Sequence, residues 1–307
     1  MPIKIIDGLS AKEQLDKENI ITITHERAVQ QDIRPLRILI LNLMPFKETA
    51  EVQLLRLLGD SPLQIDVDFC HVATYEGKHT QRTYLDNYYE VFDAICDRNY
   101  DGFIMTGAPI EQMPFEDVNY WKEITTYLDW AKEHVFSSIY YCWGAQAALY
   151  YWYGIDKLDL PKKLFGVYPY TLAVQHHPLL RGFDERYFIP QSRHTTIDDS
   201  QIEKIKDLQI LSRSKENGSN IITTADCRQT FIMGHFEYDA DSLEYEYLRD
   251  KGKNLPISVP VNYYPNNDDT QHPCVTWRSY AHLFYHNWLN FVYQETPYDL
   301  EQLSNRK

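Results

Sequence analysis

Residues 136–154, FSSIYYCWGAQAALYYWYG, decide how the rest of the chain is read. The apolar, aromatic run 136–141 predicts a short buried strand, and 145–153 is a good helix former. Between them stand Cys142, Trp143 and Gly144, so a cysteine occupies a strand-to-helix corner. A sulfur at such a corner faces the first turn of a helix, where unpaired N–H groups and the dipole favour a thiolate. Gly144 allows a tight turn just after a nucleophile. The corner alone is not specific, because a buried structural cysteine fits it as well.

Toward the N-terminus, strands and helices alternate. Residues 36–44, LRILILNLM, form a nearly unbroken apolar strand ended by Pro45, and 47–59 follow with Val52, Leu55 and Leu58 at helical spacing. A second strand is predicted over 64–72, a helix over 84–96 and a third strand at 102–106, GFIMT, before a Gly-Ala-Pro turn. Residues 116–134 place Trp121, Ile124, Leu128 and Ala131 on one helical face. This rhythm predicts an α/β fold, a mostly parallel sheet flanked by helices, with its site in loops at the carboxyl ends of the strands. Residues 1–34 lack a strong period and are expected to form an arm packing on a single domain over 35–307.

After Gly154 the pieces turn short and β-like, with Asn217-Gly218 marking a hairpin. Thr230 to Met233 reads as another apolar strand, running straight into Gly234, His235, Phe236 and Glu237. Asp239 or Asp241 can then cap a helix that continues through Arg249, and 275–293 form an aromatic helix. His235 and Glu237 are two apart, so in extended chain they share a side, where a carboxylate can hold the imidazole tautomer. With Cys142 they make a candidate Cys-His-Glu triad. His176, His177, His282 and His286 read as surface, capping or packing residues.

The formal charge of -14 argues against a nucleic-acid or anionic-membrane binder, either of which needs a broad basic face. The five cysteines are widely spaced without a CxxC pair, so neither a disulfide framework nor a metal site is indicated, and a reducing cytoplasm fits. The first residues lack the form of a signal peptide, and no apolar run approaches the ~18 residues of a membrane span.

Six runs carry a resemblance: QDIRPLRILILNLMP (31–45), LLRLLGDSPLQ (54–64), DGFIMTGAP (101–109), YCWGAQAALYYWYGI (141–155), GHFEYD (234–239) and TWRSYAHLFYHNWLN (276–290). Over nearly its whole length the chain resembles the homoserine O-acyltransferases of methionine biosynthesis. The resemblance implies a class I glutamine amidotransferase-like fold, although Tyr140 stands where the amidotransferase elbow has its first Gly, which disfavours glutaminase chemistry. It implies that Cys142 takes an acyl group from an acyl-CoA, with His235 as general base oriented by Glu237. It further implies that Lys163, Ser192 and Arg249 line the substrate pocket and that the protein is a homodimer. In this family a Gly at the position of Glu111 goes with succinyl-CoA and a Glu with acetyl-CoA. Acetyl transfer from acetyl-CoA to L-homoserine is therefore implied, with no bound cofactor, and succinyl-CoA remains the alternative donor.

The residue chemistry agrees, since a thiolate suits a thioester and leaves an acyl-Cys that a hydroxyl can attack. The backbone N–H of Trp143 and one from the loop at 42–44 are expected to hold the tetrahedral oxyanion. Arg249 can grip an amino-acid carboxylate with its planar fork. Two other classes stay open: a Cys-His-Glu hydrolase or glutaminase, and a sensor whose Cys142 is oxidised.

Overall fold

The computed structural model describes residues 3–4, 6, 8–17, 22–23, 34–74 and 80–305. From the expected arm it describes Ile3–Lys4 (β1), Ala11–Lys17 (α1), Thr22–Ile23 (β2) and a few residues between and after them. The remainder of that arm lies outside the described residues. The alternating region then runs β3 (Leu36–Leu41), α2 (Lys47–Gly59), β4 (Ile65–Cys70), α3 (Arg82–Tyr88), α4 (Phe92–Ile95), β5 (Tyr100–Met105), α5 (Trp121–His134), β6 (Val135–Tyr141) and α6 (Trp143–Tyr153).

Strand β3 is apolar because both of its faces are covered. Ile38 and Ile40 join one hydrophobic layer with Leu54, Leu55 and Leu58 of α2, while Leu39 and Leu41 join the other with Ile124, Leu128 and Ala131 of α5. The single helix expected over 84–96 is instead two short ones. Glu90 interrupts it by pairing beside the end of β4: its N–H donates to the Phe69 carbonyl and its own carbonyl accepts from the His71 N–H. The helix expected from 116 likewise starts later, at Trp121, after one 3-10 turn at Phe115–Asp117.

The second half comprises β7 (Lys157–Leu172), β8 (Arg186–Ile197), α7 (Asp199–Ile202), β9 (Leu208–Ser214), β10 (Gly218–Thr224), β11 (Gln229–Ile232), α8 (Ser242–Gly252) and α9 (Arg278–Glu295). Among the described residues the strands form one sheet in the order β2-β1-β4-β3-β5-β6-β11-β10-β9-β7-β8. Pairing is parallel from β2 to β11 and antiparallel beyond, and the expected Asn217-Gly218 hairpin joins β9 to β10. A separate cluster, Phe165, Val167, Leu243, Tyr247, Tyr263 and Trp277, packs α8 onto the β7–β8 ribbon. Asp241 holds the N-cap position of α8 without a side-chain bond, and Asp239 pairs with Arg56 instead. No helix among the described residues is long and apolar enough to cross a membrane.

Candidate active site

Cys142 lies between β6 and α6 with φ 48° and ψ -115°. A non-glycine residue held there stores about 1–3 kcal/mol of strain and persists only when its surroundings over-determine it. They do so here. Its N–H donates to the Ile232 carbonyl at 2.7 Å, and its carbonyl accepts from the Gln146 N–H at 3.1 Å. The expectation that Gly144 makes the turn is therefore corrected: Cys142 itself takes the positive φ. Gly144 is needed for close approach, since a Cβ there would lie 2.8 Å from the Thr106 carbonyl oxygen.

Strand β11 lies parallel to β6 with Ile232 opposite Tyr141, so the chain leaves both strands at the same end of the sheet. That register brings His235 to Cys142. The His235 N–H is fixed on the Pro190 carbonyl of β8 at 2.9 Å, and Nδ1 meets Glu237 Oε1 at 2.6 Å. Tyr238 stacks on the imidazole with ring centroids 4.1 Å apart. Nε2 is buried without a well-formed hydrogen bond, leaving it for a reacting group, and catalytic bonds of this kind tighten only once substrate is bound. Burial opposes a charged imidazole, but the Glu237 carboxylate and the Cys142 sulfur overcome it and hold the His235 pKa well above 6.5. Elsewhere burial pushes the Cys227 thiol up to about 11 and the Cys70 thiol higher still, so neither competes as a nucleophile.

The loop at 42–44 does not supply an oxyanion donor. Leu43 N–H is spent on Thr106 Oγ1 at 2.7 Å and Met44 N–H on Asn42 Oδ1 at 3.1 Å. Lys47 fastens the same loop, its Nζ donating to the Asn42 carbonyl at 2.5 Å, and burial lowers its pKa to about 8. The free donors lie on the loop after β5. A Cβ on Gly107 would sit 3.2 Å from Cys142 Cβ and 3.7 Å from Trp143 N. Among the described residues, the N–H groups of Gly107, Ala108 and Trp143 make no hydrogen bond.

Two of the three residues expected to hold the acceptor, Lys163 and Ser192, meet on a side chain that sequence reasoning missed. Ser192 of β8 is paired opposite Phe165, two residues after Lys163 on β7, so Lys163 and Ser192 face the same way. Both reach Glu246 Oε2, Lys163 Nζ at 3.1 Å and Ser192 Oγ at 2.6 Å, while the Tyr238 hydroxyl donates to Oε1 at 3.0 Å. Arg249 follows Glu246 by three positions on α8, on the same helical face, and its Nε donates to Asp250 Oδ1 at 2.7 Å. Only the Glu246/Arg249 spacing on one helix could have pointed to Glu246.

The profile of the homoserine O-succinyltransferase family matches residues 2–298. The chain belongs to this family. Among its relatives, the homoserine O-acetyltransferase of Desulfitobacterium hafniense (strain DSM 10664 / DCB-2) is 52% identical over 307 residues, covering 100% of both chains. That of Geobacillus kaustophilus (strain HTA426) is 54% identical over 302 residues, 98% of this chain and 100% of the other. A glutamine amidotransferase from Thermotoga maritima superposes with a TM-score of 0.54 at 12% identity, over 85% of this chain and 99% of its own. A glutamine amido transferase from Methylobacillus Flagellatus gives 0.50 at 14% identity, over 85% and 96%. At such identity the likeness speaks of fold alone, and the fold is class I glutamine amidotransferase-like.

Within the homoserine O-succinyltransferase family, this member carries Glu111 in the turn just past the Gly107–Ala108 donors. Its Oε1 accepts from the His194 N–H of β8 at 3.3 Å, so the side chain crosses from the loop after β5 to the ribbon. Lys157 stands nearby, its ammonium 4.0 Å over the Phe115 ring; burial lowers its pKa, and Asp156 and Glu111 pull against that shift.

Proposed function

We propose that the protein is a homoserine O-acetyltransferase of methionine biosynthesis, transferring acetyl from acetyl-CoA to the hydroxyl of L-homoserine through an acetyl-Cys142 thioester. The observation that supports this most is the positive-φ Cys142 corner, with unpaired N–H groups on one side and the Glu237-bound His235 on the other. In the resting pair the imidazolium stabilises the thiolate. The thiolate attacks the acetyl-CoA carbonyl, and the tetrahedral oxyanion takes the N–H groups of Trp143 and of Gly107–Ala108. On collapse the His235 proton passes to the departing CoA sulfur.

Acylation also retunes the base. The sulfur charge that helped hold the His235 proton is gone once Cys142 is a thioester, so the neutral imidazole becomes the better-populated form. It takes the homoserine hydroxyl proton, the alkoxide attacks the acetyl carbonyl, and the thiolate leaves beside a renewed imidazolium. Protons balance over the cycle, and no cofactor is needed because the thioester is itself the activated donor.

Glu111 favours acetyl over succinyl. A second carboxylate ~4 Å from it costs roughly 1 kcal/mol in water and about 4 kcal/mol at an effective dielectric of 20. Lys163, Ser192 and Arg249 would seat the amino acid. A cytoplasmic homodimer is the form in which we expect the enzyme to work.

Intact-mass spectrometry tests the reading. Acetyl-CoA should leave one acetyl group on the protein, discharged by L-homoserine and absent from the Cys142→Ala and Cys142→Ser variants. An adduct lost to water as fast as to homoserine would instead indicate a hydrolase, and no adduct at all would refute the covalent route.

A further inference from the structure

Three consecutive N–H groups follow β11, and each is held by a different acceptor. Met233 donates to the Asn220 backbone carbonyl at 2.8 Å, Gly234 to the Asn220 side-chain Oδ1 at 2.9 Å, and His235 to the Pro190 carbonyl at 2.9 Å. Strands β10 and β8 are not neighbours in the sheet, so the Asn220 carboxamide bridges the gap where the chain passes from one to the other. Its Oδ1 also accepts from Gln191 Nε2 of β8 at 2.9 Å, and its Nδ2 donates to the Tyr187 hydroxyl at 2.7 Å. Asn220, Gln191 and Tyr187 are all fully buried.

The carboxamide can face only one way. The Gly234 N–H and the Arg193 guanidinium are donors alone, so each must meet an oxygen. Arg193 Nε holds Gln191 Oε1 at 2.9 Å, which turns the Gln191 amide nitrogen toward Asn220, and Gly234 independently demands an oxygen at the same place. A Cβ on Gly234 would lie 2.6 Å from Gln191 Nε2, 2.8 Å from the Pro190 carbonyl oxygen and 2.9 Å from Asn220 Oδ1, so the backbone has no room to slide.

The span under this grip joins the nucleophile to the base. The Cys142 N–H is fastened to the Ile232 carbonyl, and His235 follows three residues later. Resting on the acyl-transfer reading, we propose that Asn220 is a positioning residue: its carboxamide fixes the chain between the Cys142 fastening and His235 and thereby holds the imidazole at the sulfur. Without it the Gly234 N–H is buried with no acceptor, and the chain relaxes to find one. A purely structural Asn220 would raise the melting temperature and leave the Cys142–His235 pair of a folded variant unchanged.

Iodoacetamide alkylation of Cys142 at neutral pH, followed by mass well below the melting temperature, reads that pair without any acyl donor. Asn220→Ala should slow it by about fourfold if the imidazolium moves from about 4 to about 5 Å from the sulfur at an effective dielectric of 20. CoA release on mixing with acetyl-CoA should slow by about 10²-fold, the usual effect of an error of about 1 Å. Asn220→Asp keeps an oxygen toward Gly234 and should restore both rates. Tyr187→Phe removes the other partner of the same carboxamide, spares the Gly234 bond, and should match the wild type in both rates even where it melts lower. Should the alanine variant not fold, Asn220→Ser, whose hydroxyl stops short of Gly234, is read in its place. Wild-type alkylation in the variant that lacks the carboxamide, or equal slowing in Tyr187→Phe, would overturn the proposal. Failure of acetyl-CoA to load the wild type would refute the acyl-transfer reading and leave the alkylation comparison standing.

Discussion

Replacing Glu237 with Gln removes one charge and little else. The Gln amide oxygen can still accept from His235 Nδ1, as Glu237 Oε1 does at 2.6 Å, so ring orientation survives. What is lost is a carboxylate held against an imidazolium with side chains only 12% and 4% exposed. With charge centres about 4 Å apart and an effective dielectric of 20, that attraction is worth about 4 kcal/mol, roughly a thousandfold in an equilibrium constant. The sign follows directly. Glu237 raises the His235 pKa, so its removal lets the proton leave at lower pH, and the thiolate–imidazolium pair gives way to neutral thiol and imidazole. The charged form of the pair should become up to about a thousandfold less populated relative to the neutral one. Iodoacetamide alkylation of Cys142, followed by mass from pH 5 to 10, reads this population. Glu237→Gln should be alkylated far more slowly than the wild type at neutral pH. Superimposable profiles would refute the ion-pair account, whatever happened to turnover.

Gly107→Ala places a methyl group 3.2 Å from Cys142 Cβ and should displace the neighbouring N–H donors. CoA release on mixing with acetyl-CoA should slow by roughly 10²–10³-fold, the usual effect of losing an oxyanion donor, and a change below threefold would send the second donor elsewhere. Glu111→Gly should raise kcat/KM for succinyl-CoA relative to acetyl-CoA by about two orders of magnitude, from removal of the ~4 Å charge repulsion. A wild type that prefers succinyl-CoA, or a ratio unmoved by the substitution, would reject acetyl as the donor. Arg249→Lys should depress use of L-homoserine far more than the CoA-releasing half-reaction, because an ammonium cannot replace a planar fork. Equal losses in the two half-reactions would contradict a role at the acceptor.

The parallel half of the sheet is legible in the sequence because strands covered on both faces are largely apolar, as β3 and β6 are but for Arg37, Ser137 and Ser138. The candidate triad is legible for a related reason: Cys142 and His235 each follow closely on such a strand, and Glu237 is local to His235. Contacts set by register over long separations are not. Lys163 sits in a basic pair that reads as solvated, yet β7 pairs with β8 and packs under α8 so that it meets a carboxylate 83 positions away. Glu90 reads as helical because its pairing beside β4 leaves no mark on local periodicity. Gly144 stands at the corner for a reason that local sequence does not carry, since it is the distant Thr106 carbonyl that presses against it.

Strand β8 acts as a ruler. Its Pro190 carbonyl fixes the backbone of His235, and its Ser192 fixes Glu246, so two residues of extended chain, about 7 Å, separate the two fastenings. No loop intervenes to stretch or relax that span. In the proposed reaction, an amino alcohol one methylene shorter than homoserine, such as serine, seated beside Lys163 and Ser192 would hold its hydroxyl a bond length short of the imidazole. An error of about 1 Å at a reacting atom can cost 10²-fold in rate. On the proposed function, choice of acceptor becomes a measurement of length, made by the covalent repeat of a polypeptide backbone.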